Sequence, residues 1–281
     1  MDIKRIIKMS RPRFWLYLAG TFMVGYAYGI NDVSSLLQPS FIIPFLIFLI
    51  PANIFVYGIN DIADREMDKN NPKKDDNKES AVRKGEEKTI AITVWASLII
   101  MITGLMFYTD ITGMILLAVF IILGAGYSLK PLRLKEKPFL DFLSNSFYII
   151  PGIIGYYIAS NSVPPMIIWL MGISWTGAMH LYSAIPDIIP DKKSGIMTAA
   201  TVLGHKNSLL YCSLLWSLFV LSLIILEVHI ILLLASLTYV IIPLILMFMP
   251  QESVTRAYWK YPYINAFIGM LFFLNAVLMI I

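Results

Sequence analysis

Charge and cysteine are what this 281-residue chain has least of. Only 14% of its residues are Asp, Glu, Lys or Arg, against roughly 25% in a soluble domain, while 58% are hydrophobic. So few charges cannot solvate a globular surface, which excludes an ordinary soluble fold. The single cysteine, Cys212, lies in an apolar run without a partner, so neither a disulfide framework nor a cysteine-ligated metal centre is available. No D-x-[DN]-x-[DN]-G run occurs, which excludes an EF-hand. What the chain has instead is apolar runs, each near the roughly 20 residues that a bilayer core requires, recurring from end to end.

The runs predict an all-α membrane protein with nine helices in one bundle, at 14–30, 41–59, 89–108, 111–128, 139–159, 164–185, 208–227, 229–249 and 262–281. Pro44, Pro51 and Pro151 fall inside spans and predict kinks. The basic segment Met1 to Arg13 resembles a signal-peptide leader, yet no small-x-small cleavage site follows, so it reads as the approach to a retained first helix.

The positions of the cations set the orientation. Five Lys and Arg precede the first span, eight lie between spans two and three, four between four and five, three between six and seven, and two between eight and nine. These are all 22, and the alternate connections carry none. The positive-inside rule therefore predicts a cytoplasmic N-terminus, cytoplasmic long loops, an outside C-terminus and a multi-pass protein of the cytoplasmic membrane. The net charge of +4 needs no nucleic acid to explain it.

Two acidic sets stand out against this background. The end of span two reads Asn60-Asp61-Ile62-Ala63-Asp64-Arg65-Glu66-Met67-Asp68. Positions i, i+3 and i+7 return to one helix face, so Asp61, Asp64 and Asp68 form a carboxylate stripe, with Asn60 at i−4 from Asp64. Like charges so placed repel, and a hard divalent cation removes the repulsion; Mg²⁺ takes one or two carboxylates together with waters and phosphate oxygens. Asp187 and Asp191, spaced i, i+4 after Pro186, repeat the device at the end of span six. Spans two and six have equal parity, which puts both sets on the cytoplasmic side and hints at a repeat of spans one to four and five to eight, with a ninth span added. Asp75, Asp76, Glu79, Glu86 and Glu87 read as solvated loop acids balancing nearby cations.

N-D-x-x-D-x-x-x-D after span two, D-x-x-x-D after span six and nine spans together resemble the UbiA superfamily of intramembrane prenyltransferases over essentially the whole chain. The run Asp191-Lys192-Lys193-Ser194-Gly195-Ile196-Met197-Thr198 is similar to the K-x-G-x-x-T that follows the family's second motif, and Tyr127-Ser128-Leu129-Lys130-Pro131-Leu132-Arg133 to its loop after span four. The resemblance implies that Asn60 and both aspartate sets hold Mg²⁺ against a prenyl diphosphate donor. It also implies that Lys130, Arg133, Tyr127, Arg11 and Lys192 serve the phosphates, and that a lipophilic acceptor arrives from the bilayer. The R-P-x-x-x-G segment of quinone-pathway members is replaced here by Asn71-Pro72-Lys73-Lys74 and Arg83-Lys84-Gly85, which speaks against an aromatic-acid acceptor. Ser10 to Gly20, Pro51-Ala52-Asn53 and Asp141-Phe142-Leu143-Ser144-Asn145 look like the carotenoid branch, the lycopene elongases, which add a five-carbon unit to a carotenoid end. A quinone precursor or a glycerol-phosphate lipid is the alternative acceptor.

Ionisation of an allylic diphosphate leaves a carbocation that must be kept from water, and aromatic faces stabilise such a cation by roughly 0.5–2 kcal/mol each. Tyr57, Tyr127, Tyr148, Trp175 and Tyr182 are aromatic positions on or beside the spans that suit this, although rings in membrane helices commonly pack or mark the interface. Asp141 and Asn145, i, i+4 at the start of span five, read either as a functional pair or as a charge favoured at a helix N-terminus. His180 reads as a core histidine or an acceptor-orienting group. A secondary transporter is the competing class, but transporters place charged sites near the bilayer midplane, and these acids lie at helix ends. No motif fixes oligomeric state or donor chain length.

Overall fold

The computed structural model of the chain describes residues 3–68, 82 and 85–281, the side chains of Ile3 and of residues 66–68 excepted. The side chain of Asp68, the segment Asn71-Pro72-Lys73-Lys74, Arg83, Lys84 and the acids Asp75, Asp76 and Glu79 thus lie outside the described residues. Fourteen α-helices are present among those described. In chain order they are α1 (Ile3–Met9), α2 (Trp15–Gly29), α3 (Pro39–Leu49), α4 (Pro51–Asp68), α5 (Glu87–Leu105), α6 (Ile111–Ser128) and α7 (Leu140–Ser144). There follow α8 (Ile150–Ser160), α9 (Met166–Ala184), α10 (Ile188–Lys193), α11 (Ala199–Ile225), α12 (Ile230–Leu246), α13 (Gln251–Tyr258) and α14 (Tyr261–Leu278).

Helix is found in each of the nine apolar segments. Six helical stretches among the described residues are long and apolar enough to cross a membrane: Pro39–Arg65, Glu87–Leu105, Ile111–Ser128, Leu140–Ser160, Ala199–Ile225 and Tyr261–Leu278. Their apolar side chains are not all turned inward. On α5, Ile92, Trp95 and Ile99 are 69%, 64% and 58% exposed at helical spacing, a face that suits lipid and would be costly in water.

Proline and caps explain where the helices depart from the apolar runs. Span two is interrupted at Ile50, and Pro51 starts α4, where its missing N–H costs nothing. Asn53 covers the break, its Nδ2 donating to the Phe48 and Leu49 carbonyls at 2.9 and 3.0 Å. Span five is a short helix α7, a 3-10 segment Asn145–Ile149 and then α8 with Pro151 in its first turn, whereas Pro44 sits within uninterrupted α3. The seventh helix begins at Ala199, not at residue 208, because Thr198 and Thr201 form a reciprocal capping box at its start. The apolar run from residue 208 is cut off from this short first turn by Gly204-His205-Lys206-Asn207. Gly204, at φ 75°, breaks that extra stretch from the rest of α11.

The described residues form two compact units. The first covers Met1–Leu132 and Ile150–Ser162. Its main seam joins α2 and α8, and glycines allow their backbones to meet: a Cβ on Gly25 would lie 1.9 Å from the Gly152 carbonyl oxygen, and one on Gly155 would lie 2.4 Å from that of Phe22. Close approach through small residues is how helices without a hydrophobic driving force between them gain packing. In the same unit Asp110 caps α6 and accepts from the Tyr157 hydroxyl at 2.7 Å, which, with backbone donors, holds its carboxyl below the usual range.

The second unit covers Arg133–Ile149 and Val163–Met279. Helices α9, α11 and α12 pack around a column of buried rings. Trp216 stacks on Tyr261 at 5.6 Å and on Tyr239 at 5.4 Å, Tyr182 lies 4.5 Å from Tyr261, and Tyr239 donates to Asn265 Oδ1 at 2.8 Å. Cys212 is buried there against the Ala178 carbonyl.

The α2–α8 seam makes a direct prediction. Gly25→Ala is expected to destabilise the protein by about 1–3 kcal/mol or more, because backbone atoms cannot move aside as a side chain can. Gly269→Ala, whose Cβ would meet nothing within 4 Å, is expected to be neutral. Thermal unfolding in detergent, read by fluorescence-detected size exclusion, distinguishes the two.

Candidate active site

The first acidic set lies on α4, where local packing gives each residue a different surrounding. Asp61 is 4% exposed. A carboxylate so far from water needs a counter-charge, and Arg11 supplies it: Nη2 donates to Asp61 Oδ1 at 2.9 Å. Arg11 reaches there from a left-handed backbone position (φ 51°) just before the 3-10 turn Pro12–Phe14. Its guanidinium carbon stands 4.5 Å from the centroid of the Tyr57 ring, one helical turn before Asp61. Tyr57, expected as a candidate to face a carbocation, thus has a cation on its ring.

Asp64 is half-buried, one turn further along α4. Asn60 turns toward α6, its Nδ2 donating to Ser128 Oγ at 3.2 Å, which leaves its carbonyl oxygen as the donor atom for a cation. Ser128 adjoins Tyr127, which is half-buried, and Lys130 is exposed two residues on. The acids taken from sequence as loop balance, Glu86 and Glu87, pair with Arg5 at 2.5 Å and Arg65 at 2.7 Å and so tie the start of α5 to α1 and α4.

The second set is built by three stops in the chain. Helix α9 ends in a 3-10 turn, Ile185–Asp187, containing Pro186, and α10 then carries Asp191. Asp187 and Asp191 are both half-buried, and Lys192 is exposed. Helix α10 is closed by a Schellman motif: Ile196 N donates to Asp191 O at 2.9 Å and Gly195 N to Lys192 O at 3.3 Å, with Gly195 at φ 72°. Thr198 then caps α11. Here the K-x-G-x-x-T run acquires a physical meaning, since the Gly ends one helix and the Thr starts the next, fixing the turn that bears Asp191. Gln251 on α13 holds the other end, donating from Nε2 to the Ile185 carbonyl at 2.9 Å.

Asp141 is the residue whose place the sequence left open. It is wholly buried, and its Oδ2 accepts from Ala199 N at 2.8 Å, so it satisfies the N-terminus of α11, a helix other than its own α7. Arg133, with φ 39°, sets its Nε 2.6 Å from Glu136 Oε1, and its side chain is 13% exposed. Trp175 and Tyr182 belong to the packed ring column, Tyr148 stacks on Phe147 at 4.4 Å, and His180 lies on α9 next to buried Met179.

The donor set suits Mg²⁺. Hard oxygens come from Asn60, Asp61 and Asp64 on α4 and from Asp187 and Asp191 after α9, and among the described residues no three His, Cys, Asp or Glu side chains converge as a softer or fully protein-held ion would need.

A family model described as "UbiA prenyltransferase family" matches residues 18–277. Over 282 aligned residues the chain is 39% identical to a lycopene elongase/hydratase of Haloarcula japonica, covering 96% of this chain and 90% of that one. It is also 39% identical to a lycopene elongase/hydratase of Halobacterium salinarum, covering 95% and 94%. Among solved structures, a UbiA homolog from Archaeoglobus fulgidus bound to GPP and Mg²⁺ superposes with a TM-score of 0.71 at 18% identity, covering 98% of this chain and 99% of that one, which shows a shared fold.

Asp141→Ala strands the Ala199 amide and is expected to cost about 1–3 kcal/mol of stability, whereas Asp141→Asn keeps an oxygen acceptor and should lose less. Unfolding midpoints of the two purified variants against the parent check the ordering.

Proposed function

The chain belongs to the UbiA prenyltransferase family and is an integral membrane transferase; on that premise we propose that it transfers a five-carbon prenyl group from dimethylallyl diphosphate to a carotenoid end. In this reading nine helices cross the cytoplasmic membrane, with the N-terminus and the reaction on the cytoplasmic side. The observation that carries it is the pairing of a carotenoid-branch sequence, matched along 96% of the chain, with the buried Asp61 held by Arg11 on α4.

Asn60, Asp61, Asp64 and Asp68, with Asp187 and Asp191, would hold Mg²⁺, which as a Lewis acid stabilises the departing diphosphate. Arg11 donates to Asp61, and its planar guanidinium is of the kind that also suits a phosphate oxygen. Lys130 and Lys192 are exposed ammonium groups able to turn toward the same charge, with Arg133 and Tyr127 as further donors. The apolar residues of the spans exclude water, so the allylic cation survives until the acceptor's π electrons attack it. Loss of a proton, or addition of water, then completes the product. The relatives' names join elongation to hydration, and product mass separates the two outcomes by one water.

Purified protein supplied with Mg²⁺, dimethylallyl diphosphate and lycopene should yield a product heavier by a C5 unit in mass spectrometry, with or without water. Transfer to a quinone precursor or to a glycerol-phosphate lipid, but not to lycopene, would replace the acceptor and leave the reaction class standing. Asp64→Ala and Asp187→Ala should each abolish turnover while the protein stays folded in membranes. Activity retained in both would remove the two aspartate sets from the mechanism.

A further inference from the structure

The prenyl-transfer reading gives no role to the last polar connection, and the second unit has a built feature there. Between the end of α12 and the start of α14 lies an open cleft of about 540 Å³, lined by Leu246, Met249, Ser253, Arg256, Trp259 and Lys260 among others. Its two sides differ in chemistry. Leu246 and Met249 give an apolar wall that continues to Phe248, 88% exposed, while Tyr263, 74% exposed, lies in the first turn of α14. Arg256 and Lys260 give a cationic rim, and both are exposed.

No carboxylate among the described residues lies within ion-pair distance of either cation. Arg256 Nη2 donates to Ser253 Oγ at 3.1 Å, a neutral partner. Glu252, one turn before Arg256 on α13, is exposed, and no ion pair joins it to either cation among the described residues. Two uncompensated cations, a buried hydroxyl, an indole and a tyrosine beside exposed apolar side chains at the ends of membrane-crossing helices match an anionic headgroup at the interface with an acyl chain below it. A soluble anion would leave the apolar wall bare, and a neutral lipid would leave the cations unmatched.

We propose that this cleft binds an anionic glycerophospholipid, its phosphate between Arg256 and Lys260 and its acyl chain along Leu246 and Met249. The inference rests on the orientation proposed above, in which this connection faces the same side as the other cationic loops. It has a consequence for the reaction centre, because α13 also carries Gln251, whose hydrogen bond to Ile185 holds the turn bearing Asp187. A lipid seated on α13 braces that turn.

Native mass spectrometry of the full chain released from nanodiscs tests this without turnover, so its failure is distinct from failure of the transfer assay. The discs contain phosphatidylcholine and phosphatidylglycerol in equal parts, and inorganic phosphate or glycerol phosphate is added as competitor in separate arms. The parent should retain phosphatidylglycerol in preference to phosphatidylcholine. The Arg256→Gln, Lys260→Gln double variant should bind it about thirtyfold more weakly. The charge-keeping Arg256→Lys, Lys260→Arg exchange should retain binding, as should Lys206→Gln, an exposed cation outside the cleft. Equal retention by the double Gln variant, equal retention of phosphatidylcholine, or displacement by inorganic phosphate or glycerol phosphate would each overturn the lipid assignment.

Discussion

A carboxylate withdrawn from water is stable only where a cation or a row of N–H groups replaces its hydration, and the two units each solve that problem at the ends of apolar helices. Asp61, 4% exposed, is met by Arg11. Asp141, wholly buried, is met by the first turn of α11. In each case the partner comes from a distant part of the sequence, so the charge does more than sit at a helix end. It fixes the turn before α2 against α4 in the first unit, and α7 against α11 in the second. The polar residues near the acids then follow: Tyr57 supports the guanidinium of Arg11, Asn60 ties α4 to α6, and Gly195 with Thr198 closes one helix and opens the next.

The same constraint explains how much could be read from sequence. Apolar runs are a consequence of bilayer energetics, and a helix lies in each of the nine segments read from them. Proline marked the breaks beside Pro51 and Pro151, whereas Pro44, expected to kink its span, lies within uninterrupted α3. What stayed hidden depends on tertiary partners. Nothing near Asp141 announces Ala199, 58 residues away, and the spacing of Asp61 to Asp68 does not reveal that Asn60 leans on Ser128. The Arg11–Asp61 pair could be guessed only as two functional candidates and not as one contact. The start of α11 was not read because Gly204-His205-Lys206-Asn207 separates its first turn from the long apolar run, although Thr198 followed three residues later by Thr201 was the available signal.

Family membership and the acidic sets speak to the donor, and the proposed acceptor rests on different ground. Mg²⁺-assisted loss of diphosphate requires only oxygen ligands and positive charge, which the helix ends supply. Selecting a carotenoid end requires an apolar path and a shape, and the supporting information for that lies in the 39% identity shared with the haloarchaeal lycopene elongase/hydratases. The buried ring column of Tyr182, Trp216, Tyr239 and Tyr261 packs against itself in the interior of the second unit.

The central claim is that both aspartate sets recognise a diphosphate through Mg²⁺. Its most direct measurement is equilibrium binding of an unreactive thiolo analogue of dimethylallyl diphosphate to the purified protein, with and without Mg²⁺, in the parent and in Asp64→Asn and Asp187→Asn. The account predicts binding that requires Mg²⁺ and is weakened by either substitution. Binding of equal strength without the metal and in both variants would contradict it.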